Sequence, residues 1–305
     1  MSSTCHPNPQ EQAYLDLVSE VICDGEKRSN RTGVDTFALF GQMMRWDLQR
    51  GFPLFTTKTM AWRWVVEELL WFISGCTDSN VLSQRGVKIW DANGSAEFLA
   101  SRGLTENRAG DLGPIYGWQW RHFGASYRGC DADYTGEGVD QLAHVIETIK
   151  NNPSSRRIIM SAWNPADLDK MALPPCHMSC QFFVSQPQRG EGSEEERAQL
   201  SCMMVQRSAD LGLGVPFNVA SYSLLTHMIA HVCDLDVGEF VHVMGDTHVY
   251  VNHTDPLSDQ LERIPFPFPA LRIRRKVESI DDFRFEDFEL LNYKHHGRVV
   301  MEMAV

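Results

Sequence analysis

Residues 60–73 (MAWRWVVEELLWFI) constrain the fold more than any other stretch of the chain. They form a nearly all-apolar run of helical length, closed by Gly75. A helix that is apolar around most of its circumference has to be covered on every side, so it belongs in the core of a large domain. Glu67 and Glu68 interrupt the run, which is also too short to span a bilayer. Residues 220–234 read as a second apolar helix, and 11–25 and 139–150 as amphipathic ones. Segments 37–48, 157–163, 181–185, 200–206 and 240–251 alternate or run apolar as strands do. The two kinds of element mix without a βαβ rhythm, a repeat or a linker. The expectation is therefore a single α+β domain over 1–305, with a mixed β-sheet packed by helices. Residues 1–10 read as a disordered polar tail, and 186–199 (QPQRGEGSEEERAQ) as an exposed loop inserted between two strands.

A core of that size needs no disulfide or metal staple, and no metal site is expected. The eight cysteines are scattered, and the polar, Pro-containing start is no signal peptide. Reduced thiols and a cytoplasmic location follow, and nuclear or mitochondrial presence is also compatible. The net charge of −12 argues against DNA or a membrane surface as partner. An anionic ligand would need arginines gathered locally.

Five constellations can carry chemistry. Leu173-Pro174-Pro175-Cys176-His177 places a thiol after a Pro-Pro turn and directly before a strand, rigid enough for a nucleophile. A buried, inert cysteine is the ordinary alternative, and a zinc reading of Cys176, His177 and Cys180 fits no usual ligand spacing. Arg207 and Ser208 supply a donor fork and a hydroxyl suited to phosphate, and the glycines of 212–214 allow close backbone approach. Asn218 offers one donor and one acceptor in a plane, the complement of a uracil edge; it could equally cap a helix beginning near Ala220. His248 and Tyr250 alternate onto one strand face and could meet a sugar hydroxyl. Arg31 and the pair Arg156-Arg157 add positive charge, whereas 272–276 (RIRRK) reads as a solvated strand face. Taken one at a time, each of these residues also has an ordinary structural reading.

In order along the chain, RTG (31–33), FPL-TTK (52–58), EELLWF (67–72), IWDANG (89–94), DLGPIYG-QWRHFGA (111–125), RRII-SAWNP (156–165), ALPPCH (172–177), QRS-D-GLGVPFN-ASY (206–222), GD-H-Y-NH (245–253) and MEMAV (301–305) closely resemble the thymidylate synthase family. The resemblance implies a methyltransferase with a thymidylate synthase-like fold, its sheet at a homodimer interface. It implies dUMP as substrate and 5,10-methylenetetrahydrofolate as co-substrate, giving dTMP and dihydrofolate. Carried over, Cys176 adds to uracil C6, Asn218 reads the base, and Glu68 and Tyr116 organise water and proton transfers. Arg31, Arg207 and Ser208 hold the phosphate with Arg156 and Arg157 of the partner subunit; Ala209, Asp210 and Val249 join the nucleotide site. His177 lines the pocket beside the thiol, and His248 and Tyr250 take the 3′-hydroxyl. Asp210, Asn93, Trp90, Leu213, Phe217 and Ala61 meet the folate, and the terminal strand through Ala304 closes the site.

Four arginines around one anion should also lower the pKa of a nearby thiol. Burial in the apolar helix should raise that of Glu68 toward neutrality. The sequence departs from the family chiefly after TTK, where Arg-Val-Phe-Trp-Lys-Gly is usual and Thr59-Met60-Ala61-Trp62-Arg63-Trp64 stands here. A cation, an aromatic and a small residue of the folate-tail groove are thereby replaced, and Trp64 is expected to cover the groove that Ala61 leaves open. Val205 also stands where a tyrosine is usual. The alternatives are a dUMP C5-hydroxymethylase, in which water and not hydride captures the methylene, and a catalytically weak homologue that binds nucleotide or RNA.

Overall fold

The computed structural model describes residues 8–185 and 197–303. In chain order these form α1 (Pro9–Asp24), β1 (Glu26–Arg28), β2 (Thr36–Asp47), α2 (Trp62–Ile73), α3 (Ser79–Gln84), α4 (Ala96–Ser101), α5 (Tyr116–His122) and α6 (Gln141–Asn151). They continue through β3 (Ile159–Ser161), β4 (His177–Ser185), β5 (Gln199–Asp210), α7 (Gly214–Val232), β6 (Asp236–Tyr250), α8 (Thr254–Leu261), β7 (Ala270–Ile273) and β8 (Phe288–Leu291). The α+β architecture with a mixed sheet is as the sequence predicts. Six strands run in the order β1-β2-β6-β5-β4-β3, with β5 and β6 parallel and the other neighbours antiparallel.

Several boundaries differ from the sequence reading. Helix α1 begins at Pro9, inside the expected tail, because the buried Asn8 side chain accepts from the Glu11 backbone N–H and proline suits a first helical position. Most of the expected 186–199 loop lies outside the described residues, but its last residue, Gln199, opens β5. Helix α2 starts two residues late, with Ala61 at its N-cap. Helix α7 starts six residues early at Gly214, so Asn218 sits inside it and not at its cap. The Asp210 carboxylate accepts from the backbone N–H groups of Gly212, Leu213 and Gly214 at 2.8–3.3 Å and stabilises that earlier start. The arginines of the RIRRK segment are exposed, as expected, and pair with acids: Arg272 and Arg274 with Glu289, Arg275 with Asp287.

Helices α2 and α7 are the core elements, buried on nearly all sides. The two glutamates of α2 part company at this boundary. Glu67 faces Arg85 at 3.0 Å, whereas Glu68 points inward. Helix α5 crosses α2 so closely that a Cβ at Gly117 would lie 2.2 Å from the Phe72 carbonyl oxygen, so only glycine fits. That approach delivers the preceding Tyr116, held at a φ of +23°, to the site. The sheet's other face carries exposed apolar side chains. By register Met43, Ile159, Phe183 and Met203 share it, exposed by 57, 48, 65 and 37%.

Candidate active site

One large cavity of about 1510 Å³ opens where the ends of β4, β5 and β6 meet α2 and the start of α7. Its wall carries Arg28, Arg31, Lys58, Lys88, Arg102, Arg207 and Arg298 against only Glu68, Asp210 and Asp246. A chain of charge −12 has thus concentrated cations in one place, which suits the cavity to an anionic ligand.

Cys176 lies on the wall, immediately before β4 as the Pro-Pro turn predicts. Its backbone N–H donates to the Tyr116 hydroxyl at 2.8 Å. Arg207 spans the turn: Nε donates to the Pro175 carbonyl and Nη2 to that of Pro174, both at 2.9 Å. The same Nη2 lies 3.9 Å from the Cys176 sulfur, and the guanidinium packs over the Trp163 ring. Arg207 therefore rigidifies the Pro-Pro-Cys turn while facing the Cys176 sulfur. The expected fall in thiol pKa does not follow. Burial raises the Cys176 thiol above its ordinary value and outweighs the opposing pull of Arg207 and Arg31. Arg156 and Arg157 are exposed and absent from the cavity wall, so within this chain only two of the four arginines reach the thiol.

Glu68 is buried and accepts from Trp90 Nε1 at 2.7 Å. Burial pushes its carboxyl up to about 7, with the Trp90 hydrogen bond pulling the other way. The sequence expectation of a near-neutral Glu68 holds. Tyr116 stacks on the His177 ring at 4.1 Å, and His177 Nδ1 meets the Tyr222 hydroxyl at 2.8 Å. Burial, aided by nearby His242, drives His177 down to about 3, so its imidazole stays neutral.

On β6, His248 and Tyr250 both face the cavity, their rings 5.3 Å apart. The Asp246 carboxylate sits 2.9 Å from His248 Nδ1 and is held on its other oxygen by Arg28. Asn218 faces the cavity from α7, its Oδ1 accepting from Gln206 Nε2 at 3.1 Å. Ser208 and Asp210 complete this side, and Ala61, Trp90, Leu213 and Phe217 also line the wall.

The structure does not bring every expected residue to the wall. Ala209 and Val249 are fully buried behind it, because strand alternation turns them toward the core. Asn93 is buried near the site without lining it, and Ala304 lies outside the described residues. Lys58 is a wall residue that sequence reasoning passed over. It is buried, donates from Nζ to the Gly212 carbonyl at 2.5 Å, and is lowered by desolvation to about 8. A lysine closing the otherwise uncharged run FPLFTTK was the available signal.

Asp78, Cys130 and Asp131 come near enough to share an ion, but Arg108 bridges both carboxylates. Among the described residues no helix is long and apolar enough to cross a membrane, and seven cysteines are free.

The family model described as thymidylate synthase matches residues 12–305. A thymidylate synthase of Equine herpesvirus 2 is 58% identical over 97% of this chain and 98% of its own length. That of Saccharomyces cerevisiae is 56% identical over 98% of both chains, and that of Homo sapiens 54% over 98% of this chain and 92% of its own.

Proposed function

This chain belongs to the thymidylate synthase family, and from that premise we propose how its cavity divides the reaction among named residues. The enzyme is a methyltransferase that converts dUMP to dTMP with 5,10-methylenetetrahydrofolate as co-substrate. The relatives named above support methylation and neither the hydroxymethylase nor the weak-homologue reading.

Arg31, Arg207 and Ser208 hold the phosphate. Their common position on the wall beside Cys176 supports this, and phosphate is the ligand such a fork and hydroxyl suit. Asn218 pairs with uracil N3–H and O4. His248, its Nδ1 turned to Asp246, and Tyr250 take the 3′-hydroxyl. The Cys176 thiolate adds to C6, and the electron pair of the C5–C6 double bond makes C5 nucleophilic. The folate supplies a one-carbon unit to C5 and then a hydride, and so leaves as dihydrofolate. Loss of the C5 proton supplies the electron pair that breaks the bond from the one-carbon bridge to the folate nitrogen and leaves a methylene on C5; the hydride then adds to that methylene, and the ring re-forms its C5–C6 double bond as the Cys176 sulfur leaves. Glu68, near neutral in pKa, and Tyr116, hydrogen-bonded to the Cys176 backbone, handle protons in these steps. The wall suits the folate. Trp90, Leu213 and Phe217 offer flat or apolar surface for a pterin, and Lys88, Arg102 and Arg298 offer cations for carboxylates.

The apolar sheet face of Met43, Ile159, Phe183 and Met203 is the proposed homodimer interface. A second copy would cover it and bring its own Arg156 and Arg157, exposed here, to the phosphate. The free thiols agree with a cytoplasmic enzyme. The observation that carries the assignment is the meeting of Cys176, Arg207, Asn218 and Glu68, distant in sequence, on one wall. Mass spectrometry after incubation with 5-fluoro-dUMP and methylenetetrahydrofolate tests it. A covalent ternary adduct mapped to Cys176 is expected; a saturated reaction with an unmodified Cys176 rules the assignment out.

A further inference from the structure

Thr59 lies on the cavity wall at a position where the family resemblance implies a fixed cation. The side chain that meets it is His295, exposed on the segment that follows β8. We propose that His295 makes this chain's recognition of the folate tail proton-linked: the tail carboxylates bind with uptake of a proton by this imidazole. The proposal rests on the role of the cavity mouth in binding folate carboxylates. It goes further by naming a cation that exists only while a second proton is bound.

The hydrogen bonds around the ring leave one atom for that proton. His295 Nδ1 lies 2.8 Å from the His296 carbonyl oxygen, which can only accept, so Nδ1 carries the proton of the neutral ring. The Thr59 hydroxyl donates to the same carbonyl at 3.2 Å, and its Oγ1, 3.2 Å from Nδ1, accepts a share of the ring N–H. Nε2 is therefore the bare acceptor of the neutral ring, and a second proton settles there without breaking any of these bonds. The charged ring donates more strongly from Nδ1, so the same contacts favour it. The segment itself is fixed. The His296 backbone N–H donates to the Thr56 carbonyl at 2.7 Å, and His296 Nε2 to that of Ile264 at 2.8 Å. His296 also stacks on the Phe266 ring at 4.7 Å, which leaves His295 as the histidine beside Thr59.

The ionisable groups around His295 come from three segments. Lys294, His296 and Arg298 flank it on its own, and Lys58 precedes Thr59 on the TTK loop. Arg263 reaches in from beyond α8 to the Gly297 carbonyl at 2.8 Å. Tyr293, its ring 4.8 Å away, is kept neutral by burial. None of these groups is an anion, so the carboxylates of the tail bring the negative charge with which a protonated His295 pairs. Coupling of this kind is reciprocal: a ligand that prefers the protonated form takes protons up as it binds. Imidazole is the side chain whose charge changes between about pH 5 and 8, whereas an arginine holds its charge throughout. Added glutamates should thus count for more in mild acid than in mild base. His295 touches no reacting atom and acts on specificity alone.

With dUMP bound, calorimetric affinities for tetrahydrofolate carrying one and four glutamates test the link. In the wild-type enzyme the gain in affinity from the added glutamates should be about threefold larger at pH 6 than at pH 8, the size expected where an exposed cation meets a carboxylate. Lys58 and Glu68 also titrate near this range, so the decisive comparison is His295→Gln, which can still donate to Thr59 but cannot charge. Its gain should be the same at both pH values. A second measurement needs no variant. At pH 7, titrations in two buffers of different ionisation enthalpy should show more proton uptake for the tetraglutamate than for the monoglutamate. A pH-independent gain in the wild type, or an equal pH response in His295→Gln, overturns the proposal. Failure of both folates to bind the dUMP complex would overturn the folate reading of the cavity, and this proposal with it.

Discussion

Trp90 Nε1 donates a 2.7 Å hydrogen bond to Glu68 Oε1 inside the core helix α2, on a carboxyl that burial has moved to about 7. The two effects oppose each other. Desolvation favours the protonated acid and the indole donor favours the anion, so a group of ordinary value 4.5 comes to titrate near neutrality.

Stability should carry that signature. The folded protein keeps the Glu68 proton up to about pH 7, whereas the unfolded chain releases it near 4.5. Between these values the native state binds more protons, so this group's contribution to stability is present in acid and declines as pH rises through the window. Glu68→Gln has no charge to bury. Its stability relative to wild type should therefore rise between pH 4.5 and 7, by about 3 kcal/mol at the upper end, and stay level beyond. Urea unfolding at three pH values reads this directly, and a difference independent of pH would show that Glu68 is not shifted. Trp90→Phe, by removing the one opposing donor, should move the titration further up.

Asn218→Asp should turn preference from dUMP toward dCMP. A carboxyl group can still accept from Gln206 Nε2, and when protonated it can also donate to cytosine N3. The uracil edge is then mismatched, which costs about 1–3 kcal/mol, tenfold or more in relative kcat/KM. An unchanged ratio of kcat/KM for the two nucleotides would remove Asn218 from base recognition.

Arg156 is exposed and off the cavity wall in its own chain. If it serves the partner's phosphate site, Arg156→Ala and Cys176→Ser homodimers are both inactive. Mixed subunits should regain about a quarter of wild-type activity, because half the dimers carry one intact site. Subunit exchange verified by mass, with no recovery, would return Arg156 to its own subunit.

Ala61 and Trp64 both line the cavity, and Trp64 is 38% exposed, while neighbouring Trp62 turns inward against Phe52 at 5.3 Å. The Ala61 carbonyl accepts from the Trp64 backbone N–H at 2.9 Å, so the pair sits on the first turn of α2. Trp64 thus faces the groove and not the core, as the exchange of large and small residues after TTK suggests. Trp64→Gly and Ala61→Phe should each raise the KM for folate, one by emptying the groove and the other by crowding it. The double variant should recover much of the loss, with a coupling of about 0.5–3 kcal/mol. Additive effects would show that the two side chains do not share the groove. Thr59, which meets His295 and the His296 carbonyl, lies at the same mouth, where the family resemblance implies a cation. Added glutamates on the folate should accordingly strengthen binding less than in relatives with arginine there.

Local pattern by itself determined the layers of this protein. The apolar run of α2 and the alternating strands could be read directly, because burying an apolar face is a property of consecutive residues. Ordered motifs around Cys176, Arg207 and His248 made the chemistry legible, and the raised pKa of Glu68 followed from its apolar neighbours alone. Element ends were less legible. The earlier start of α7, which put Asn218 in a helix and not at its cap, depends on how the Asp210 side chain folds back onto three backbone donors. Tertiary structure alone decided the balance at Cys176, where desolvation outweighs Arg207 and Arg31. It alone placed Lys58 on the wall, and Ala209 and Val249 behind it. It alone joined His242 to Gln206 and Asn218 across two strands and a helix. Such outcomes turn on distances and burial between segments far apart in the chain, and electrostatic and hydrogen-bond energies depend on those distances, which no local pattern specifies.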